Sequence, residues 1–272
     1  MGAWWDKANG SAMWTARWAG AYRWFESAKR WLCQAGTDLV FPPQCANCGA
    51  ALESSTAPLL CGVCRSKLAP AVWHGCARCG GAVAPAFASK SGCALCRHVR
   101  FYFETVVALS AYQGELKQAV LRMKHAYAEP LAVALAALFV ELRGPCLKAY
   151  QPELVIPMAM HWRRRLLRGI NSADVLAGEV GRRLGLPVGR RLLRRRRNDV
   201  PQRYLRPADR YRNVRGSFAI RRASRVRGRR VLLVDDVLTT GATASEAART
   251  LKRAGASQVV VAVLARAEGD DR

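Results

Sequence analysis

Val231-Leu-Leu-Val-Asp-Asp-Val-Leu-Thr-Thr-Gly-Ala-Thr243 decides how the rest of this chain is read. Val231 to Val234 is an unbroken apolar run, which suits a strand buried on both faces. Asp235 and Asp236 follow at its carboxyl end. A loop rich in Thr and Gly comes next, and Ala244 to Ala254 has helical periodicity closed by Gly255. Ligands of open parallel sheets bind at this end of a strand. Successive N–H groups of Thr239, Thr240, Gly241, Ala242 and Thr243, with the positive end of the helix, form a nest for a phosphate. Gly241 lets the backbone approach closely, and the hydroxyls add donors. The two carboxylates suit paired sugar hydroxyls. The Gly-Lys-Ser/Thr ending of a Walker loop is absent.

Outward from this stretch the pattern repeats. Thr105–Tyr112 reads as a strand, Glu115–Ala126 and Leu131–Leu142 as helices, and Leu154–Met158 as a short apolar strand. Ala173–Leu184 is a helix stopped by Gly185, and Val259–Leu264 is another apolar strand. Apolar strands alternating with helices predict an α/β fold, a parallel sheet covered on both faces.

Residues 41–100 differ in texture. Cys45/Cys48, Cys61/Cys64, Cys76/Cys79 and Cys93/Cys96 are four Cys-x-x-Cys pairs among ten cysteines. Two residues between thiolates let both face one tetrahedral ion, and a second such turn completes a four-sulfur site. The expected arrangement is two structural Zn2+ ribbons in series, with interleaved pairing as the alternative. A disulfide framework fits poorly with a chain that shows no export signal. Cys33 and Cys146 are left over, and His74 and His98 are read as bystanders. The resulting division is a Trp-rich extension at 1–40, a double ribbon at 41–100 and the α/β domain at 101–272. In the extension, Trp14, Trp18, Phe25 and Leu32 recur at helical spacing, which suggests a helix packed on the protein rather than one lying on a membrane. No apolar run reaches the length of a transmembrane segment, and Leu131–Val140 suits a buried helix. The chain is expected to be cytoplasmic.

The 272 residues carry 44 Lys+Arg against 19 Asp+Glu, a net charge of +25. His161–Arg230 holds 23 Arg, no Lys and 4 acidic residues, giving +19 there alone. A run such as Arg194–Arg197 is ordinarily a solvated turn. The exclusive use of the guanidinium fork favours phosphate, as a small ligand or as single-stranded DNA, with Trp162, Tyr204 and Tyr211 available for stacking.

The 231–243 string resembles the ribose-5-phosphate signature of type I phosphoribosyltransferases. That resemblance implies that Asp235 and Asp236 hold ribose hydroxyls, with either as the best candidate for a catalytic carboxylate. It implies that Thr239, Thr240, Gly241, Ala242 and Thr243 hold the 5-phosphate. Asp38-Leu-Val-Phe-Pro-Pro-Gln-Cys45, His161-x-x-Arg164, Arg168-Gly-Ile-Asn171, Asn198-x-x-x-Gln202, Arg210 and Asn213-Val-Arg-Gly-Ser-Phe218 extend the likeness to the ComF competence family, from about Asp38 to the C-terminus. Ile170 and Ser172 replace the usual Phe and Gln around Asn171, and Asp199 replaces a common Thr. The resemblance implies a pyrophosphate-binding loop holding Arg163, Arg164, Arg165 and Arg168, and a flexible loop over Arg190–Arg230. It also implies phosphoribosyl pyrophosphate bound with Mg2+, transfer at the ribose C1, and a role in DNA uptake and natural transformation beside competence-machinery proteins.

Overall fold

The apolar strands find one another as their composition demands. The computed structural model describes residues 42–53, 59–84, 92–94, 96–162, 166, 170–197 and 207–267. The Trp-rich extension, Arg163–Arg165, Arg168, Asn198 to Gln202 and Tyr204 lie outside the described residues. The described residues fall into two compact units, 42–45 with 49–53 and 59, and 46–48 with 60–267. In the smaller unit, Gln44 and Ala51 form an antiparallel bridge, and the Gly49 N–H donates to the Cys45 carbonyl at 2.8 Å.

The larger unit begins with α1 (Gly62–Leu68), capped by the Cys61 sulfur, which accepts from the Cys64 N–H. Next come β1 (Thr105–Ala111), α2 (Gly114–Arg122), α3 (Glu129–Ala149), β2 (Leu154–Pro157) and α4 (Ser172–Leu184). A short pair, β3 (Leu193–Arg195) and β4 (Phe218–Ile220), flanks α5 (Pro207–Val214). The chain then closes with β5 (Arg230–Leu238), α6 (Ala242–Arg253) and β6 (Gln258–Arg266). The main sheet has the order β1-β6-β5-β2, and every pairing is parallel. Strand alternation sorts the core. Val231 and Leu233 join Ala244, Ala247, Ala248 and Leu251 of α6. Val234, Ala262 and Leu264 meet Ala136 and Phe139 of α3 and Leu176 and Val180 of α4.

Three expectations fail for physical reasons. The helix expected to stop at Leu142, before Gly144-Pro145, runs on to Ala149. Arg143, Gly144 and Leu147 are buried there, and that packing outweighs the backbone bond Pro145 cannot make. At 21 residues, α3 is long and apolar enough to cross a membrane by length and composition. More than half of its apolar window is buried inside the protein, as in a core helix. The expectation that no run reaches that length is thus corrected. The strand expected to end at Val234 continues to Leu238, because Asp235, Val237 and Leu238 keep their register with β6. The Asp pair therefore lies within the strand, near its carboxyl end.

Arg143 is the least expected member of the core. It is only 6% exposed. Its guanidinium donates to the carbonyls of Pro70 and Ala71 at 3.0 Å each, of Leu109 at 2.9 Å and of Ala108 at 3.3 Å. Burial pulls its pKa down, and among the described residues no carboxylate pairs with it. It fastens the segment leaving α1 to strand β1. Arg143→Met keeps the volume and abandons four carbonyls, of which those of Ala108 and Leu109 are buried. Urea unfolding should show a loss of about 3 kcal/mol. An unchanged midpoint would mean that water satisfies those carbonyls.

Candidate functional site

The eight paired cysteines assemble as two sets in series. The sulfurs of Cys45, Cys48, Cys61 and Cys64 lie within 4.8 Å of one another, and so do those of Cys76, Cys79, Cys93 and Cys96. Individual separations are 3.8 Å for Cys48–Cys61, 3.7 Å for Cys76–Cys96, 3.6 Å for Cys79–Cys93 and 3.9 Å for Cys93–Cys96. A tetrahedron of sulfurs about 2.3 Å from zinc has edges of about 3.8 Å. The donors therefore fit a closed, structural Zn2+ site. Among the described residues no cysteine is in a disulfide, so the disulfide alternative fails. The two knuckles repeat each other: Gly75 bridges Ala82 as Gln44 bridges Ala51, and the Gly80 N–H donates to Cys76 as that of Gly49 does to Cys45.

The second knuckle is built into the α/β core. Gly80 has φ +69°, and a Cβ there would lie 2.9 Å from Val106 of β1. Thr105 donates its hydroxyl to the Ala77 carbonyl at 2.5 Å. Arg266, at the end of β6 and 4% exposed, donates to Cys79 O at 2.9 Å and to Leu238 O at 3.2 Å. Phe101 packs against the Cys76, Cys79 and Cys96 cluster and stacks on Phe103, with centroids 4.6 Å apart.

That same Phe101 ring lies against the Gly241 turn. Gly241 has φ +79°, and an added Cβ would meet Phe101 Cε1 at 2.9 Å. Two independent facts thus demand glycine. Gly241 caps α6 and its carbonyl accepts from Ser245 N at 2.8 Å. The Thr240 hydroxyl accepts from Ala242 N at 3.4 Å, and Tyr211 donates to Thr240 O at 3.0 Å. Burial pushes the Tyr211 pKa up to about 12, so it stays a donor. Thr239 is exposed, and Thr240 and Thr243 are half-buried.

Asp235 and Asp236 straddle the sheet. Asp235 shares strand parity with Val231 and Leu233, which pack on α6, yet also borders the small cavity beneath α3 and α4, and Asp236 shares parity with Val234 and reaches Ser172 at the start of α4. Asp236 Oδ2 lies 3.5 Å from the Ser172 hydroxyl and 3.3 Å from Lys124 Nζ. Asp235 Oδ1 accepts from Asp236 N at 2.9 Å. Burial first, then the charge of Asp236, raises the Asp235 pKa well above the carboxylate range, and Lys124 opposes the rise. Asp235 therefore holds its proton more tightly than an exposed carboxylate does. His161 and Asn171 are both buried, and the Asn171 amide donates to Met158 O at 3.4 Å.

The arginine segment is more ordered than a solvated turn. Arg194 and Arg195 lie in β3, paired with β4, and the Arg195 guanidinium sits 5.5 Å over the Phe218 ring. Arg194, Arg196 and Arg197 are exposed. Glu246 of α6 accepts from Gly216 N at 2.8 Å and pairs with Arg249 at 2.7 Å, anchoring the segment that leads into β4. Sequence reasoning does not mark Lys124, Phe101, Arg143 or Arg266 as site or core residues, and it offers Tyr211 only for stacking on nucleic acid. Apart from their lying outside any motif, nothing local distinguishes them.

Residues 171–271 match the phosphoribosyl transferase domain, and residues 36–100 match the double zinc ribbon domain. The DNA utilization protein YhgH of Salmonella typhi is 30% identical over 225 residues, covering 78% of this chain and 98% of that protein. Competence protein F of Haemophilus influenzae is 36% identical over 117 residues, covering 43% of this chain and 51% of that protein. Among solved structures, a purine phosphoribosyltransferase from Pyrococcus horikoshii aligns with a TM-score of 0.30 and 18% identity, over 59% of this chain and 77% of that one. The allosteric regulatory enzyme of purine biosynthesis aligns with a TM-score of 0.35 and 22% identity, over 50% of this chain and 26% of that one.

Metal analysis of the purified protein should find two zinc ions per chain, falling to one in Cys61→Ser with the α/β domain still folded; no zinc would refute the ribbon reading. Asp235→Asn keeps the acceptor for Asp236 N and removes the buried charge. Because the folded-state pKa is raised, the folded protein binds more proton than the unfolded chain above about pH 4, and stability falls as pH rises towards the folded pKa. The variant should therefore be roughly 1 kcal/mol more stable than wild type at pH 8 and no more stable near pH 4. Equal thermal melts at both pH values would contradict the strain.

Proposed function

The chain belongs to the ComF family, and from that premise we propose that it binds phosphoribosyl pyrophosphate and serves the handling of incoming single-stranded DNA. The observation carrying this reading is one continuous structure: the Asp pair on β5, the left-handed Gly241 turn, and the start of α6. The ribose hydroxyls rest on Asp235 and Asp236, and the 5-phosphate rests on the N–H groups of 239–243. Arg163, Arg164, Arg165 and Arg168 hold the diphosphate. Mg2+ arriving with the ligand supplies charge neutralisation at the leaving group. The class is transferase, more narrowly glycosyltransferase: the C1–O bond breaks, diphosphate leaves with the electron pair, and an acceptor bonds to C1 through an oxocarbenium-like transition state. Asp235 and Asp236 are the carboxylates placed for proton transfer. The rest of the catalysis is positioning and charge stabilisation.

The exposed guanidinia of Arg194, Arg196 and Arg197 support a second reading, a single-stranded-DNA-binding protein that keeps the fold without turnover. The two tetrathiolate clusters need a reducing compartment, which supports a cytoplasmic protein working beside competence-machinery partners. The modules 1–40, 41–100 and 101–272 are proposed as its functional divisions.

Calorimetry and gel shifts separate the readings. Asp235→Ala with Asp236→Ala should cost phosphoribosyl pyrophosphate binding at least about tenfold with the fold intact. Replacing Arg194–Arg197 by Ser should flatten the salt dependence of single-strand binding, whose slope is about −0.7 per phosphate neutralised. It should leave phosphosugar binding untouched. Unchanged affinity in the double Asp variant removes the phosphosugar site, and a flat wild-type salt response removes the DNA site.

A further inference from the structure

A cation reaches the acidic pair from a part of the chain that belongs to neither the phosphate loop nor the arginine segment. Lys124 follows α2, and its Nζ lies 3.3 Å from Asp236 Oδ2, the same oxygen that faces Ser172. Its position is fixed two residues earlier. Arg122 donates to the Asn47 carbonyl at 2.9 Å and to Asn47 Oδ1 at 2.6 Å. Asn47 in turn donates its amide to Cys64 Sγ at 3.3 Å and to Glu115 of α2 at 3.0 Å. Asn47 is 6% exposed and sits between Cys45 and Cys48. Side-chain hydrogen bonds thus join Cys64, Asn47 and Arg122, the main chain carries the link two residues on to Lys124, and Lys124 pairs with Asp236.

The faces of the sheet say which part of a ligand Lys124 meets. Asp236 Oδ2 faces the Ser172 hydroxyl at the start of α4, whereas the 239–243 loop leads into α6, which packs on Val231 and Leu233 of the opposite strand parity. With the phosphosugar absent, the ammonium balances Asp236. Once ribose hydroxyls occupy that carboxylate, the ammonium faces an anion on the α3 and α4 side. The 5-phosphate is held elsewhere, so that anion is the diphosphate on C1. An ammonium on a flexible four-carbon stem can swing between the two without moving the backbone.

We propose that Lys124 is an anion-binding residue of this site, taking the C1 diphosphate and held in place by the first zinc knuckle through Asn47 and Arg122. The proposal rests on the phosphosugar reading and adds to it a residue, a ligand end and a use for the ribbon. Asn47 is oriented by a sulfur that a bound metal would immobilise, so the ribbon acts as a positioning element as well as a staple.

Calorimetry with two probes, each with Mg2+, tests it: phosphoribosyl pyrophosphate and ribose 5-phosphate, which lacks the diphosphate. Lys124→Met should weaken the first about tenfold or more and the second by less than about threefold. Lys124→Arg should restore most of the loss. Asn47→Ala should keep two zinc ions by metal analysis and still weaken the diphosphate ligand. Circular dichroism verifies folding, and Lys124→Gln replaces the Met variant if that one does not fold. Unchanged affinity in Lys124→Met, or equal loss for both ligands, overturns the role of Lys124. Asn47→Ala with full affinity overturns the link to the ribbon. Wild type binding neither probe overturns the phosphosugar reading, and Lys124's role with it; wild type binding both, with Lys124→Met unaffected, overturns this proposal alone.

Discussion

The Arg266 guanidinium holds the site together by donating to Cys79 O on one side and Leu238 O on the other. Those two carbonyls belong to the second cysteine knuckle and to the end of β5. The first is the base of a metal site and the second is the exit of the strand that carries the acidic pair. A buried guanidinium without a carboxylate is costly, and it persists because its donors find main-chain acceptors whose own burial would otherwise go uncompensated. Arg143 repeats the device between Pro70, Ala71 and β1. Excess arginine in this chain is therefore not only a surface charge. Two of these residues act as internal fasteners between cysteine-rich segments and the sheet.

With that fastening in place, the phosphate loop has little freedom. Phe101 touches the second cysteine cluster and also lies under Gly241. Tyr211 holds the Thr240 carbonyl from above. A cost is concentrated at Asp235, where burial and the neighbouring Asp236 both disfavour the charge. A fold that keeps such a pair is storing instability at the place where ligand hydroxyls would relieve it.

Much of this was legible from residue order. The apolar runs at 231–234 and 259–264, the glycine stops and the Cys-x-x-Cys spacing are local signals, and local signals gave the parallel sheet and the serial metal sets. What escaped was set by tertiary packing. Helix α3 passes through Gly144-Pro145 because Arg143, Gly144 and Leu147 are buried there, which no window of sequence can show. β5 outruns its apolar segment because β6 offers it partners as far as Arg266. Lys124 looked like any lysine after a helix, and only the fold brings it beside Asp236, 112 positions away by numbering (236 − 124). Arg194 and Arg195 read as a charge run, since a three-residue strand paired with Phe218–Ile220 leaves no periodic signature.

The central claim is that the strand end, the Gly241 turn and the start of α6 form one phosphosugar site. A crystal of the protein soaked with phosphoribosyl pyrophosphate and Mg2+ tests it most directly. The account predicts the 5-phosphate within hydrogen-bonding distance of the 239–243 amides and the ribose hydroxyls on Asp235 and Asp236. Density for the ligand at any other place, or an empty loop at saturating ligand, would contradict it.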